Sequence, residues 1–297
     1  MLNEIDAKLH EAIHRSMMEQ DPASIFKDRV DVFKLFEDRF GPIHGKIADI
    51  GCGNGYAGIW LALNSPKVER VDAIEASSKA VNELIPRNIS YHNVENLVMA
   101  KQGSFDDLGA DSYDFVVAFG ALHHSTDLQQ TFDSVFRSLK AGGYLIAQEP
   151  AMPDDTSHID YEKKYNIVEE KFGLKIRNGD RHDHFFRECE YKCAAVHAGF
   201  DIVKWTDFAP SKRLAIINIP PIRFLVRFLR VSKGKGLKYA AARSWSHLVD
   251  MIGGDGSHNQ ADDGDNGVRA MQKATARVQP KILIARKSSV LRHFHRT

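Results

Sequence analysis

One stretch limits the fold more than any other: IADIGCGNGYAGIWLA, residues 47–62. An apolar run of strand length ends at Asp49-Ile50. It breaks into Gly51-Cys52-Gly53-Asn54-Gly55 and resumes as a longer apolar run that suits a helix. Glycines at alternate positions let the backbone turn sharply and lie against a ligand with no Cβ in the way. The start of the following helix offers unpaired N–H groups. A strand, a glycine turn and a helix in that order belong to an open sheet that binds its ligand at the strand ends.

The rest of the chain repeats the alternation. Apolar strands are expected at Lys46–Gly51, Val68–Glu75, Leu97–Gly103, Tyr113–Gly120, Tyr144–Glu149, Phe200–Thr206 and Lys281–Arg286. Helices are expected near Tyr56–Asn64, Ser78–Ile85, Leu128–Leu139 and Glu188–Ala198. Such alternation predicts an α/β, doubly wound, Rossmann-like sheet. Residues 1–45 read as a helical cap: Leu2, Ile5, Leu9, Ile13 and Met17 keep helical spacing, and Val30, Phe33, Phe36 and Phe40 do so up to Gly41-Pro42. Residues 46–297 form the main domain, with a polar insertion at 151–187 and a longer one at 207–280. The second holds GGDGSHNQADDGDNG, residues 253–267, which reads as a surface loop.

Composition excludes several classes. Forty Lys and Arg against 39 Asp and Glu leave a net charge of +1, so no global field favours nucleic acid or acidic membranes. Three cysteines in 297 residues make no disulfide scaffold and suit a reducing compartment. The most apolar stretch, 214–231, is broken by Pro220, Pro221, Arg223, Arg227 and Arg230, which rules out a spanning helix. The N-terminus lacks the apolar core of a signal peptide. A cytoplasmic enzyme is expected.

Glu75 stands twenty residues beyond Gly55, at the end of the next strand in RVDAIEAS, where a carboxylate can accept hydrogen bonds from both hydroxyls of a ribose. The glycine spacing then separates ligand classes. A pyrophosphate-binding turn reads G-x-G-x-x-G. Counted from Gly51, this chain has G-x-G-x-G, and Tyr56 occupies the third dinucleotide position. Asp49 adds negative charge near the turn, which repels a pyrophosphate and suits a ligand carrying an ammonium or sulfonium. Taken singly, Asp49 could cap the turn, Cys52 fill a small gap and Glu75 be a solvated acid. Their meeting at one crevice favours a ligand.

With these residues the chain resembles the class I S-adenosylmethionine-dependent methyltransferases, closest to the type 11/12 group. The matching blocks are ADIGCGNG, Glu75, QGSFDDL (102–108), YDFVVAFGALHHSTD (113–127) and LKAGGYLIAQEP (139–150), with AGFDIVKW (198–205) and KILIARK (281–287) behind them. The resemblance implies a seven-stranded sheet whose last strand runs antiparallel, and S-adenosyl-L-methionine as cofactor. It implies that Asp49, Gly51, Cys52, Gly53 and Gly55 border the methionine portion and Glu75 the ribose. Ser104, Phe105 and Asp106 would border the adenine, and Phe119 and Gly120 would floor the site by the methyl group. Ser104 stands where the family often has an acid.

In-line methyl transfer needs an aligned lone pair, a dry site and, for a hydroxyl acceptor, a proton acceptor. The candidates are His123 and His124 after the fourth strand, Glu149 at the end of the fifth, and His182 and His184 in RNGDRHDHFFRE (177–188). In the family a histidine pair at 123–124 often lines the cofactor or shapes the loop instead. Glu149 could also simply end its strand, and the 177–188 cluster could be a solvated loop. Cys189, Cys193 and His197 share a helix face, but they lack zinc-knuckle spacing and read as packing against the sheet. No metal is expected.

Nine Lys or Arg between 212 and 243, with no acid among them, form a basic arm. It could pack its apolar face on the enzyme, contact an anionic inner membrane surface, or meet an anionic acceptor. Nucleic acid is not expected, because few aromatics interleave with the charges. The function expected is methyl transfer to a small-molecule, glycan or lipid-linked acceptor, at oxygen. The alternative is a non-catalytic S-adenosylmethionine-binding regulator or scaffold, and a nicotinamide oxidoreductase is a further one that the spacing at Tyr56 disfavours.

Overall fold

A computed structural model of the chain describes residues 18, 20–26, 30–105, 108–158, 186–208 and 279–288. Seven strands form one sheet: β1 His44–Ile50, β2 Lys67–Glu75, β3 Val98–Gln102, β4 Tyr113–Phe119, β5 Leu139–Ala151, β6 Phe200–Asp207 and β7 Gln279–Lys287. Their order is β3-β2-β1-β4-β5-β7-β6. The β1–β2, β1–β4, β2–β3 and β4–β5 pairs are parallel, and β7 runs antiparallel to both β5 and β6. This is the doubly wound methyltransferase sheet that the resemblance implied, with the long insertion before its last strand. The chain leaves β1 toward β2 and β3, then returns to place β4 on the other side. That reversal opens a crevice at the C-terminal ends of β1 and β4, where such sheets bind ligands.

Two apolar layers cover the sheet. Ile47, Val71, Phe115, Val117, Ile146 and Ile284 face one layer with α1 (Asp31–Phe40), α2 (Tyr56–Asn64) and α3 (Ile85–Tyr91). Ala48, Val116, Leu145 and Leu283 alternate to the other layer, under α4 (Leu128–Ser138) and α5 (Glu188–Ala198). This two-residue alternation is what strand geometry imposes. In α1, Val32, Phe33 and Phe36 are buried. Phe33 stacks on Phe119 with ring centroids 5.1 Å apart, while Phe36 meets Phe115 and Tyr144 edge-on. The start of α1 therefore sits over the C-terminal end of β4.

Two elements depart from the sequence expectation. The helix expected to stop at Ile85, before Pro86, instead passes through a π turn at Ala80–Leu84 and continues as α3 to Tyr91. A proline lacks the N–H that an α-helix needs and crowds the preceding turn; the wider turn makes room. β5 begins at Leu139, not Tyr144. Its pairing with β4 jumps from Tyr113–Leu139 to Phe115–Tyr144. Gly142 (φ +80°) and Gly143 absorb that irregularity; a Cβ on Gly143 would stand 2.8 Å from the Asp114 carbonyl oxygen.

The cysteine face of α5 also differs from expectation. Cys193 and His197 are exposed, and the helix buries Tyr191, Ala194 and Ala195 instead. Among the described residues no three His, Cys, Asp or Glu side chains group as a metal would require. No described helix is long and apolar enough to cross a membrane. The N-terminal pattern Leu2–Met17, the loop 253–267 and the basic arm 212–243 lie outside the described residues.

Candidate active site

Three glycines with positive φ build the turn after β1: Gly51 (+58°), Gly53 (+58°) and Gly55 (+78°). Only glycine adopts this region without cost. A Cβ on Gly51 would stand 2.7 Å from the Ala121 Cβ, so the turn is pressed against the segment that follows β4. Gly53 differs: a Cβ there would meet no atom within 4 Å. The backbone at Gly53 faces open ground, and a ligand can approach it closely.

The two expected carboxylates flank this turn. Asp49 is buried at the end of β1, and its Oδ2 accepts the Gly58 N–H at 2.9 Å. Burial raises its pKa to about 7; the Gly58 hydrogen bond opposes the rise and the nearby Glu75 charge adds to it. A cationic ligand group would favour the ionised form. Glu75, at the end of β2, accepts the Gly53 N–H (2.9 Å) on Oε2 and the Ser77 N–H (3.2 Å) on Oε1. It thereby ties the glycine turn to the next strand. Cys52 is buried, and burial together with Asp49 and Glu75 pushes its thiol pKa well up, so it stays protonated and is no nucleophile.

At the end of β4, Phe119 is buried and Gly120 takes φ +66°. A short 3₁₀ turn, Leu122–His124, follows. Glu149 from β5 holds it. Its Oε1 accepts the N–H groups of Ala121 (2.8 Å) and Leu122 (2.9 Å), and its Oε2 accepts the His123 N–H (3.4 Å) and lies 2.8 Å from His123 Nδ1. Both oxygens of Glu149 thus serve the turn after β4. In the tautomer whose Nδ1 donates to this carboxylate, the lone pair of the neutral ring lies on Nε2. The His124 ring packs on His123, with centroids 4.0 Å apart.

Ser104 is exposed after β3, and Phe105 is half-buried with its ring edge 3.5 Å from where a Gly51 Cβ would stand. Asp106, His182 and His184 lie outside the described residues. The structure thus brings Asp49, the glycine turn, Glu75, Phe105 and the segment after β4 to one crevice. Sequence reasoning missed Gly58, which donates to Asp49 and approaches it so closely that a Cβ would lie 3.2 Å from Oδ2. It also missed Asn88, fully buried, whose Nδ2 donates to the Asn54 carbonyl at 2.9 Å. Gly58 had a visible signal, a glycine inside an apolar helix; Asn88 had none.

Residues 44–204, more than half of the chain, match the methyltransferase domain family. The chain belongs to that family. This methyltransferase is 28% identical over 192 residues to a tRNA U34 carboxymethyltransferase of Desulfotalea psychrophila, a stretch that is 59% of this chain. It covers 54% of that relative, so the chain spans about half the relative's length. Among solved structures it resembles a protein assigned as a sarcosine dimethylglycine methyltransferase from Galdieria sulphuraria, with TM-score 0.59, 16% identity, and coverage of 95% of this chain and 99% of that one. It also resembles a geranyl diphosphate methyltransferase solved with S-adenosylmethionine, with TM-score 0.53, 12% identity, and coverage of 87% and 85%. At such identities the structural likeness speaks for the fold alone. The family membership makes residues 44–204 a class I methyltransferase domain, with S-adenosylmethionine as its cofactor. The open ground at Gly53, between buried Asp49 and Glu75, fits that group.

Proposed function

We propose that this methyltransferase acts on a hydroxyl oxygen of a small-molecule, glycan or lipid-linked acceptor. The observation that carries the oxygen assignment is the His123–Glu149 pair at the end of β4, 2.8 Å apart. Glu149 fixes the turn and orients the ring, and His123 Nε2 is the nitrogen able to take the hydroxyl proton. A positioned base of this kind contributes about 10²–10⁴-fold. Bound S-adenosylmethionine supplies an electrophilic methyl on sulfur.

The other roles are those that the family resemblance implies. Asp49 and the backbone of Gly51, Cys52, Gly53 and Gly55 hold the methionine portion, and Glu75 holds the ribose. Ser104, Phe105 and Asp106 border the adenine, while Phe119 and Gly120 floor the site. α1 covers the acceptor side, a role supported by the stacking of Phe33 on Phe119. The lipid-linked option draws on the nine basic residues between 212 and 243, whose charge suits an anionic surface.

The test is transfer of a labelled methyl from S-adenosylmethionine to a panel of hydroxyl, amine and thiol acceptors, with bulk tRNA as a separate arm. Labelling of hydroxyl acceptors that falls at least a hundredfold in His123→Ala supports the proposal. Labelling confined to amines or to tRNA overturns the oxygen assignment. No labelling of any acceptor, despite cofactor binding, points to the regulator or scaffold alternative.

A further inference from the structure

Gln148 is a buried carboxamide that the roles above leave unused. It lies two residues after Ile146 on β5, so its side chain belongs to the face that carries Ile146. Its Cα partners are Phe119 on β4 and Ile282 on β7, and both pack in that same apolar layer. The backbone is fixed there: the Gly120 N–H donates to the Gln148 carbonyl at 2.8 Å. The residue is only 4% exposed, yet its Oε1 has no hydrogen-bond partner among the described residues. Buried amide oxygens are nearly always paired, because removal from water is costly without a new donor. Its flanking strand neighbours, Phe119 and Ile282, carry no donor in their side chains.

The position is as telling as the missing partner. Gln148 adjoins Phe119 and Gly120 at the crevice end of the sheet, on the side where the Phe33 and Tyr56 rings lie against Phe119. A wall of aromatic rings beside a buried acceptor atom is the pattern of a site that fixes a ligand's orientation by a few polar contacts. We propose that Gln148 is a specificity-determining residue: its carboxamide oxygen accepts a hydrogen bond from an O–H or N–H of a methyl acceptor whose body is apolar or aromatic. A carboxamide takes no proton at neutral pH, so Gln148 selects and orients, and proton removal stays with His123. The inference rests on the methyltransferase reading and narrows the acceptor class.

The test uses the full chain loaded with S-adenosylhomocysteine and titrated by calorimetry with phenol and with toluene, which match in shape and differ in the donor. Phenol should bind at least tenfold more tightly than toluene. Gln148→Met should erase that preference, leave S-adenosylhomocysteine affinity within twofold, and keep or raise Tm because an unpaired buried oxygen is gone. Equal affinities in the wild type, no phenol binding, or a preference that survives in Gln148→Met would overturn the inference. A clear loss of Tm in Gln148→Met would also overturn it, by marking the residue as structural. Failure of S-adenosylhomocysteine itself to bind would instead sink the underlying site assignment, which separates the two failures.

Discussion

Replacing Asp49 by Asn removes one titration from the folded protein while keeping an oxygen to accept the Gly58 N–H. In the native fold the Asp49 pKa is about 7, against 3.8 for an ordinary aspartate, chiefly because burial penalises the charge. The folded chain therefore holds this proton more tightly than the unfolded one. The associated stability is fully present below about pH 3.8 and is lost as pH rises through about 7. Between pH 5 and pH 8 the loss is about 3 kcal/mol by linkage. At roughly 2–4 °C per kcal/mol for a domain of this size, that is about 6–12 °C. Asp49→Asn lacks this slope, while all other titrations are common to both proteins. The difference in Tm between Asp49→Asn and wild type, measured by calorimetry without cofactor, should grow by several degrees in favour of the variant from pH 5 to pH 8. Parallel curves across that range would refute the argument that burial holds this carboxyl protonated.

Further perturbations probe the rest of the site. Glu149→Ala strips the acceptor from the N–H groups of Ala121, Leu122 and His123 and should cost about 3–5 kcal/mol in urea unfolding, with loss of transfer. Gly53→Ala places a Cβ on the open ground of the turn; Tm should fall by only a few degrees, whereas cofactor affinity, read by titration, should fall more than tenfold. Glu75→Ala should weaken cofactor binding without unfolding the chain, and unchanged affinity would contradict the ribose assignment. Asp72, buried under Lys101 (2.7 Å), Arg70 (2.8 Å) and the Tyr113 hydroxyl (3.0 Å), has its pKa lowered: these hydrogen bonds outweigh burial, which pulls upward. Its stabilisation is present above the ordinary aspartate pKa and is lost as pH falls through its own lower value. Asp72→Asn should thus destabilise the chain at pH 7, and the gap should narrow in chemical denaturation as pH falls below the ordinary aspartate range.

What could be seen in the sequence was what the chain encodes locally. β1 and β4 end where their apolar runs end, at Ile50 and Phe119, because short buried strands in a parallel sheet are near-continuous apolar runs. The glycine turn and Glu75 stood out because their residue types are costly elsewhere. What escaped depends on partners distant in the chain. Glu149 looked like a candidate proton acceptor or a strand terminator, and its hold on residues 121–123 emerges only when β5 pairs with β4. The early start of β5 follows from the same pairing, since Leu139 finds Tyr113 across the sheet. Cys193 and His197 share a helical face with Cys189, but only the packing of Tyr191, Ala194 and Ala195 decides which face turns inward.

The π turn at Ala80–Leu84 sets the aim of everything that follows it in α3. Each residue of an α-helix advances the side-chain direction by about 100°, so one residue more or fewer in that turn would swing the next two turns to another side. Ile85, which packs against Gly55, and Asn88, which holds the Asn54 carbonyl, would then miss the glycine turn together. Substitutions in this exposed-to-buried segment can be absorbed one at a time, but a change in its length cannot. The spacing between Ser77 and Asn88 is therefore a ruler for the glycine turn, and single-residue insertions or deletions between them should be purged from any library selected for binding, even where most point changes survive.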